Sequence, residues 1–459
     1  MIKQFKIEKL FGFRDINIQF KNNIKILIGE NGLGKTTILN SLYFVLTEKY
    51  KKLSRIEFEN IQVLFSDNNK ISFSKEDLES YLSYRERKST NRLTNRILDS
   101  IDIKELEGFI KKHKEETENL EEVILKYINI NRENITRFAP TSRLIREIIN
   151  IIDEPSVKIF KNINEILKEK KLSILYFPTY RRVEEELKNI GDFKKRRIRH
   201  LPFEDDVYVV EEFDEDIEIS EDTLIHFGME DVKNRINKIE KEINQSTVSG
   251  FSRVTGEMLS QLLKGFPDIE DKEIENLDIN TIKIVVHRVG DNLNDNDRKK
   301  ILSLLDNLDE LKKKKELVYF IQKLVDIYEQ HKHLDDAIKK FRDTCNAYLV
   351  DKEFRYDESS VSLRIYREGT DDIVELNKLS SGEKQIVSLF SRLYFEKFNN
   401  LIILFDEPEL SLSIKWQQRL LPDIVNSQKI AFLLSVTHSP FIFKNDLEEY
   451  AIGMNVYVK

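Results

Sequence analysis

Near the N-terminus of this chain, apolar and polar residues alternate in the way that strands with one buried face require. A more apolar run then leads into a glycine-rich stretch, and apolar residues at helical spacing follow it. Asp67, Asn68 and Asn69 are turn-forming types between two further strand-like runs, which predicts a hairpin. The predicted strands are residues 2–7, 14–20, 24–28, 61–65 and 70–73, and the predicted helix runs from 35 to about 49. Residues 1–75 therefore predict an α/β lobe.

The middle of the chain has helical periodicity and few glycines or prolines. Residues 76–170 are highly charged and predict a helical insertion. Residues 171–228 begin with a short apolar strand, 173–177, continue as a charged linker, and are predicted to belong to the same domain as residues 1–75. Residues 229–352 predict a second helical insertion. Within it, apolar residues over 298–349 recur at intervals of three and four, as in a helical hairpin or short coiled coil.

The last region, residues 353–459, returns to strand patterns. Residues 354–368 alternate as a strand pair, and 400–405 and 430–436 are apolar strands. Residues 449–458 predict a final strand that closes the sheet. The predicted fold class is therefore α/β: one domain whose N-terminal and C-terminal halves fold together and are split by a largely helical insertion.

Composition and charge narrow the class of protein. Of 459 residues, 40% are hydrophobic and 34% charged, and the net charge of −7 excludes a globally basic DNA-coating protein. One cysteine, Cys345, allows no internal disulfide, and no Cys/His cluster has zinc spacing. The N-terminus lacks a signal-peptide core, and no run approaches the ~20 apolar residues of a membrane span. We therefore expect a cytoplasmic protein that contacts no membrane.

The glycine-rich stretch matches the pattern G-x-x-x-x-G-K-[ST] and lies between the predicted buried strand and helix. In that context backbone N–H groups wrap nucleotide phosphates at a helix N-terminus. Lys35 is expected to reach the β- and γ-phosphates of ATP, and Thr36 to bind Mg²⁺. The predicted nucleotide-binding residues are Gly29, Glu30, Asn31, Gly32, Leu33, Gly34, Lys35, Thr36 and Thr37.

Three polar residues follow the two apolar strands of the last region. Asp406 and Glu407 end the strand predicted over 400–405, where Asp406 is expected to hold Mg²⁺ through its water shell. Glu407 is the candidate for orienting or deprotonating the attacking water. His438 follows the strand over 430–436 and is placed to contact the γ-phosphate. Glu407 and His438 are therefore the predicted catalytic residues, and the other six histidines are interpreted as surface or packing residues.

Ser380, Ser381 and Gly382, followed by Glu383, open another predicted helix. The Ser380 hydroxyl and the N–H groups at this helix start form a second candidate anion site. Taken alone, such a stretch is also an ordinary helix N-cap. Its place between the other motifs favours nucleotide binding by Ser380, Ser381 and Gly382.

In this order, the four motifs resemble those of the ABC-type ATPases of the SMC, RecF and OLD group. The resemblance covers roughly residues 1–75, 172–183 and 353–459, and Ser381 stands where many members have glycine. It implies an ABC-ATPase head with a P-loop NTPase fold. It also implies a homodimer in which two chains sandwich two ATP molecules, each bound by residues 29–37 of one chain and 380–382 of the other.

Three further stretches resemble the stand-alone ATPases of bacterial anti-phage systems, especially the PtuA subunits of Septu, with the AriA subunits of PARIS as cousins. They are residues 176–184, 227–232 and 406–413. OLD enzymes continue into a TOPRIM nuclease domain, whereas few residues follow His438 here. The resemblance therefore implies a separate effector nuclease, of the HNH (PtuB-like) type in the Septu case. It also implies that dimers assemble into hexamers.

Two basic stretches keep alternative interpretations. Arg181 and Arg182 follow the strand 173–177 and are candidates for a phosphate or dimer-interface contact, or for a salt bridge with the acidic residues 184–186. The basic run 194–200 fits phosphate binding or a solvated face balanced by nearby acids.

The leading functional hypothesis is an ATP-binding and ATP-hydrolysing switch subunit of an anti-phage complex. ATP-dependent dimerisation would control the effector nuclease, and nucleic acid would be reached through the complex. The alternative is a RecF-like DNA-repair ATPase that binds DNA directly, against which the acidic net charge argues. A third is a nucleotide-binding scaffold with little turnover. The long insertion between Lys35 and Ser380 disfavours a transporter ATPase.

Overall fold

The chain forms two compact units. A computed structural model describes residues 1–30, 32–90, 120–130, 155–178, 229–267, 278–289, 293–305, 308–398 and 400–458, with isolated positions between 106 and 148. Met1–Arg182 and Phe398–Lys459 make up one unit, here called the sheet unit, and Val183–Lys397 make up the other, the helical unit. These bounds differ from the five ranges expected from the sequence, which stay a prediction.

Strands and helices are numbered in chain order. The strands are β1 (Ile2–Leu10), β2 (Arg14–Gln19), β3 (Ile24–Ile28), β4 (Asn60–Phe65), β5 (Lys70–Ser74), β6 (Ser173–Phe177), β7 (Lys352–Asp357), β8 (Ser362–Arg367), β9 (Leu401–Asp406), β10 (Ile430–Thr437) and β11 (Ala451–Gly453). The helices are α1 (Lys35–Leu46), α2 (Tyr50–Leu53), α3 (Lys75–Thr90), α4 (Leu120–Ile130), α5 (Pro155–Lys170), α6 (Met229–Lys264), α7 (Ile279–Arg288), α8 (Asp295–Leu305), α9 (Leu308–Lys312), α10 (Lys315–Asn346), α11 (Ser381–Phe395) and α12 (Ile414–Asn426).

A five-stranded parallel sheet, ordered β11-β3-β10-β9-β6, forms the centre of the sheet unit. All six residues of β9 are buried, which explains why its sequence is a continuous apolar run rather than an alternating one. The register pairs Thr437 with Ile28 and Val436 with Asp406. The carboxyl ends of β3, β10 and β9 therefore lie level at one edge.

An antiparallel sheet, ordered β2-β1-β4-β5, shares its core with the parallel sheet. Phe5 and Ile7 of β1 are fully buried, as the alternating sequence predicts. Leu39 and Leu42 of α1 belong to the same cluster, so the first helix is fixed on its buried face. This packing holds the start of α1 against the end of β3.

The helical unit contains the long helices α6 and α10, which pack on each other and on α11. Gly250 of α6 permits their close approach, because a Cβ there would lie only 2.6 Å from Ile327 Cγ2. Glu240, also on α6, is buried and accepts a 2.8 Å hydrogen bond from the Leu363 amide of β8. The β7–β8 hairpin is thereby attached to α6.

The predicted fold class, an α/β sheet split by a largely helical insertion, is confirmed. Two predictions about single elements are wrong in part. The helix from residue 35 ends at Leu46, and α2 follows after Glu48, whose φ is 58°. The segment 298–349, expected to be a helical hairpin or short coiled coil, contains the end of α8, then α9 and α10, and α9 ends and α10 begins within a run of four lysines. The last strand is only β11, because residues 454–456 form a 3₁₀ turn.

Candidate functional site

Three of the four motifs meet at one edge of the parallel sheet. β3 runs into residues 29–34 and then α1, β9 ends at Asp406 just before Glu407, and β10 ends at Thr437 just before His438. Because these strands are parallel neighbours in register, residues about 400 positions apart in sequence come within hydrogen-bonding distance.

The loop at residues 29–34 needs glycine at defined points. Gly32 and Gly34 have φ of 85° and 80°, in the left-handed region that favours residues without a Cβ. A Cβ on Gly29 would lie 2.9 Å from Leu33 Cδ1. Gly34 precedes α1 without capping it by a side chain, so the helix start keeps N–H donors for an anion.

Lys35 lies inside this loop with only 6% of its surface exposed. Its Nζ donates to Gly29 O at 2.7 Å and Glu30 O at 2.8 Å, and lies 2.7 Å from His438 Nε2. Burial lowers the pKa of Lys35, although the carboxylates of Glu407 and Asp406 oppose that shift. A desolvated ammonium among carbonyl oxygens is suited to receive an anionic ligand.

Thr36 and Asp406 form an oxygen pair beside Lys35. The Thr36 hydroxyl donates to Asp406 Oδ1 at 3.0 Å, and Asp406 is 2% exposed. A hydroxyl and a carboxylate are hard oxygen donors of the kind that Mg²⁺ binds, together with phosphate oxygens and water. The residues present therefore fit a small divalent cation. Among the described residues, no group of three or more His, Cys, Asp or Glu side chains is arranged to hold a metal ion.

Glu407 and His438 face each other across the site. Glu407 Oε1 lies 3.3 Å from His438 Nε2, and both side chains are partly exposed. The Glu407 amide donates to Val436 O at 2.9 Å, which extends the pairing of β9 with β10 by one residue. Glu407 has φ of 52°, an uncommon conformation for a residue with a Cβ. This conformation and the hydrogen bond to Val436 O together determine where the Glu407 side chain leaves the end of the strand.

Sequence reasoning missed three residues that shape this edge. Arg14 Nη1 donates to Gly32 O at 2.7 Å and so supports the glycine loop. Glu409 accepts from the amides of His438 and Ser439, and Gln417 bonds to both turns beside them. The order Asp-Glu-Pro-Glu signals a second carboxylate near the strand end, but its partner cannot be inferred from spacing.

The fourth motif belongs to the helical unit. Ser380 is the N-cap of α11, and its amide donates to Glu383 Oε2 at 2.7 Å in a capping box. Lys352 bonds to the other oxygen of Glu383 at 2.9 Å. Burial opposes ionisation of Glu383, but hydrogen bonds from Ser380 and Lys352 outweigh it and lower its pKa. Ser380 and Ser381 are exposed, so the helix start is open to a ligand.

Several predicted residues lie outside the described part of the chain. They are Asn31, Arg181, Arg182 and the basic run 194–200. Of the remaining predicted loop residues, Glu30 is exposed, Leu33 is half-buried, and the Thr37 carbonyl accepts from Ser41 Oγ at 2.7 Å.

No helix among the described residues has the length and hydropathy needed to cross a membrane.

No curated protein sequence matches this chain, and three solved structures are similar to it at low sequence identity. One is the SmcHead bound to the C-winged helix domain of ScpA, at 11% identity and a TM-score of 0.31, covering 97% of this chain and 91% of that one. The Smc head domain with an extended coiled coil bound to the C-terminal domain of ScpA, from Pyrococcus furiosus, gives 14% and 0.32 with coverages of 97% and 91%. The Smc head domain with a coiled coil and joint from Pyrococcus yayanosii gives 15% and 0.30 with 97% and 93%.

The family described as AAA ATPase domain matches residues 1–443, which include the glycine loop, the Asp406-Glu407 pair, Ser380 and His438. The α/β P-loop ATPase fold agrees with the parallel sheet and with the loop that leads from β3 into α1. On this match over nearly its whole length, the chain belongs to the AAA ATPase domain family.

Proposed function

We propose that this chain binds ATP with Mg²⁺ at the edge of the parallel sheet and hydrolyses it. The observation that carries the proposal is the convergence of Lys35, Thr36, Asp406, Glu407 and His438 at one edge. A buried lysine, an oxygen pair for a cation, and a carboxylate beside an imidazole are the components that phosphoryl transfer uses. Membership in the AAA ATPase domain family supports the same reaction class.

Substrate binding is assigned to the glycine loop and its neighbours. The N–H groups of the loop and of the α1 start would bind the phosphates, and Lys35 would turn from Gly29 O and Glu30 O toward the β- and γ-phosphates. Thr36 and Asp406 would hold Mg²⁺, which when bound offsets the negative charge of the phosphates.

Hydrolysis is assigned to Glu407 and His438. The attacking water bonds to the γ-phosphorus, the bond to the β-phosphate oxygen breaks, and the water proton goes to the Glu407 carboxylate, which yields ADP and phosphate. His438 would orient the water or a γ-phosphate oxygen. Its position 3.3 Å from Glu407 supports this shared role.

Self-association is the second part of the proposal. At the start of α11, Ser380 and Ser381 are exposed and Gly382 is buried, and this turn offers a hydroxyl and helix N–H groups to an anion. We assign it to the γ-phosphate of an ATP held by a second copy of the chain, as the ABC-type resemblance implies. ATP would then join two chains, and hydrolysis would separate them.

The cellular role follows from the resemblance to the ATPases of Septu and PARIS. The chain would act as the switch subunit of a cytoplasmic anti-phage complex whose dimers assemble further into hexamers. Its nucleotide state would control a separate effector nuclease, for which an HNH type is favoured. Arg181 and Arg182 remain candidates for a phosphate or interface contact.

Nucleotide affinity and phosphate release of the purified chain test the reaction. Lys35→Ala should lower ATP affinity on the order of 100-fold or more, because it removes the only amine inside the described loop. Lys415→Ala, on the exposed surface of the same unit, is the matched control and should bind ATP like the wild type. Unchanged affinity in Lys35→Ala, or no phosphate release by the wild type with Mg²⁺, would overturn the assignment.

DNA binding separates this proposal from the RecF-like alternative. The switch hypothesis expects weak binding of duplex DNA by the chain alone, in keeping with its net charge of −7. Tight binding that weakens steeply with salt would favour direct action on DNA.

A further inference from the structure

The side chain of Glu409, in the turn after β9, forms hydrogen bonds with the turn after β10. Glu409 Oε1 accepts hydrogen bonds from the backbone amides of His438 at 2.7 Å and Ser439 at 3.1 Å. A carboxylate that receives two N–H groups is a strong acceptor, and it fixes the direction of the backbone that carries His438. Its other oxygen, Oε2, is buried and has no hydrogen-bond partner among the described residues.

Gln417 of α12 also forms hydrogen bonds with both of these turns. Its Nε2 donates to Glu409 O at 3.3 Å and Leu412 O at 3.0 Å, while its Oε1 accepts from Ser439 Oγ at 2.6 Å. These partners fix the orientation of the amide, since its nitrogen meets carbonyls and its oxygen meets a hydroxyl. The turn after β9, the turn after β10 and α12 thus share one polar network.

Capping of the helix after His438 does not account for this network. The 3₁₀ turn Pro440–Ile442 has its own N-cap, because Ser439 Oγ accepts from the Phe441 amide at 3.3 Å. Glu409 bonds instead to the two amides before that turn. Its contacts therefore act on the segment that aims the His438 imidazole.

The position of that imidazole depends on its backbone. His438 has a side chain that is 32% exposed, and its Nε2 must lie close to both Lys35 Nζ, at 2.7 Å, and Glu407 Oε1, at 3.3 Å. A small rotation of the turn moves a ring nitrogen by an ångström or more, and a misplacement of that size is costly in catalysis. The Glu407 amide also donates to Val436 O. Hydrogen bonds therefore join the two turns both at Glu407, before Glu409, and at His438 and Ser439.

Resting on the proposed ATP hydrolysis, we propose that Glu409 is a positioning residue that holds His438 at the γ-phosphate, with Gln417 as its support. Neither side chain touches the substrate in this account. Both act through the backbone of His438 and Ser439. The role needs an acceptor at Oε1, which glutamine also supplies and alanine does not.

A double-mutant cycle on turnover tests whether Glu409 acts through His438. Glu409→Ala should lower kcat about 10- to 100-fold while KM for ATP stays within about threefold. In a His438→Ala background the same change should lower kcat no further, because the imidazole it positions is gone. Glu409→Gln should restore most of the wild-type kcat, and the exposed Glu448→Ala should match the wild type.

Gln417→Ala is the second variant, for the case in which Glu409→Ala does not fold. It leaves both turns their direct bonds, so a smaller fall in kcat is expected, and it should also vanish in the His438→Ala background. Effects that multiply with those of His438→Ala, or a fall in Glu409→Gln as large as in Glu409→Ala, would overturn the positioning role. So would unchanged kcat in Glu409→Ala.

Calorimetric affinities separate this inference from the proposed hydrolysis. The affinity for a non-hydrolysable ATP analogue relative to ADP should fall by the same factor in Glu409→Ala, His438→Ala and the double variant. A wild type without turnover would refute the proposed function. The ratio of the affinity for the ATP analogue to the affinity for ADP would then still test whether Glu409 positions His438. A ratio that Glu409→Ala leaves unchanged would contradict it.

Discussion

At the residue scale, the Lys35 ammonium donates hydrogen bonds to two carbonyls of its own loop and to His438 Nε2. In that arrangement His438 accepts from Lys35 and cannot donate from the same nitrogen to Glu407. A phosphate that draws Lys35 away would free Nε2. Substrate binding would thereby rearrange the pair that the reaction needs.

Substitution of Glu407 should separate binding from chemistry. Glu407→Gln keeps the size of the side chain but removes the base, so kcat should fall about 10²- to 10⁴-fold with little change in ATP affinity. Phosphate release and equilibrium binding measure the two effects. Glu448→Gln is the exposed control. Turnover at the wild-type rate in Glu407→Gln would remove Glu407 from the mechanism.

The sequence identifies residues that belong to short linear motifs and misses those that act across turns. Lys35, Thr36 and Asp406 are recognisable because each follows a strand in a fixed local order. Glu409 and Gln417 lack such an order, since their partners at Ser439 come from another turn. Contacts of this kind depend on strand register, which the sequence does not specify.

At the element scale, substitution of the two glycines of α6 by alanine should change the free energy of unfolding in opposite directions. A Cβ at Gly250 would meet Ile327, whereas a Cβ at Gly256 would have nothing within 4 Å. Gly256→Ala should raise the free energy of unfolding by about 0.5–1 kcal/mol through helix propensity. Gly250→Ala should lower it by about 1–3 kcal/mol through overpacking. Denaturant unfolding of both variants measures the difference, and equal shifts would contradict the close approach of α6 and α10.

The capping box of α11 should make stability depend on pH. The folded pKa of Glu383 lies below its ordinary value of 4.5, so its ionised form stabilises the fold above that pH and the effect is lost as pH falls. Glu383→Gln should therefore lower the melting temperature at neutral pH, by the equivalent of roughly 1 kcal/mol, and the difference should shrink below pH 4.5. Thermal melts across this range, with exposed Glu368→Gln as control, test the assignment. A difference that is constant with pH would argue against it.

Most strands are predictable as elements because apolar periodicity is strong over β1 to β5, β6, β9 and β10. Helix ends are less predictable. The interruption between α9 and α10 falls where four lysines follow one another, without a glycine or proline to mark it. The short β11 pairs with β3 only over three residues, so its extent depends on the neighbouring strand.

At the scale of the whole molecule, the four motifs are divided between two compact units. The glycine loop, the Asp406-Glu407 pair and His438 belong to the sheet unit, and Ser380 belongs to the helical unit. The sequence order of the motifs predicts their membership in one ATPase family, which the family match supports. It does not indicate which structural unit carries each motif, because the units are formed by long-range contacts.

In the proposed function, ATP joins two copies of this chain at a shared site. Mass photometry of the wild type and of Glu407→Gln, each with and without ATP and Mg²⁺, measures this association. We predict a nucleotide-dependent rise in mass from the 54.4 kDa chain to the dimer or beyond, more persistent in Glu407→Gln because hydrolysis is blocked. A mass distribution that ATP leaves unchanged in both proteins would contradict the account.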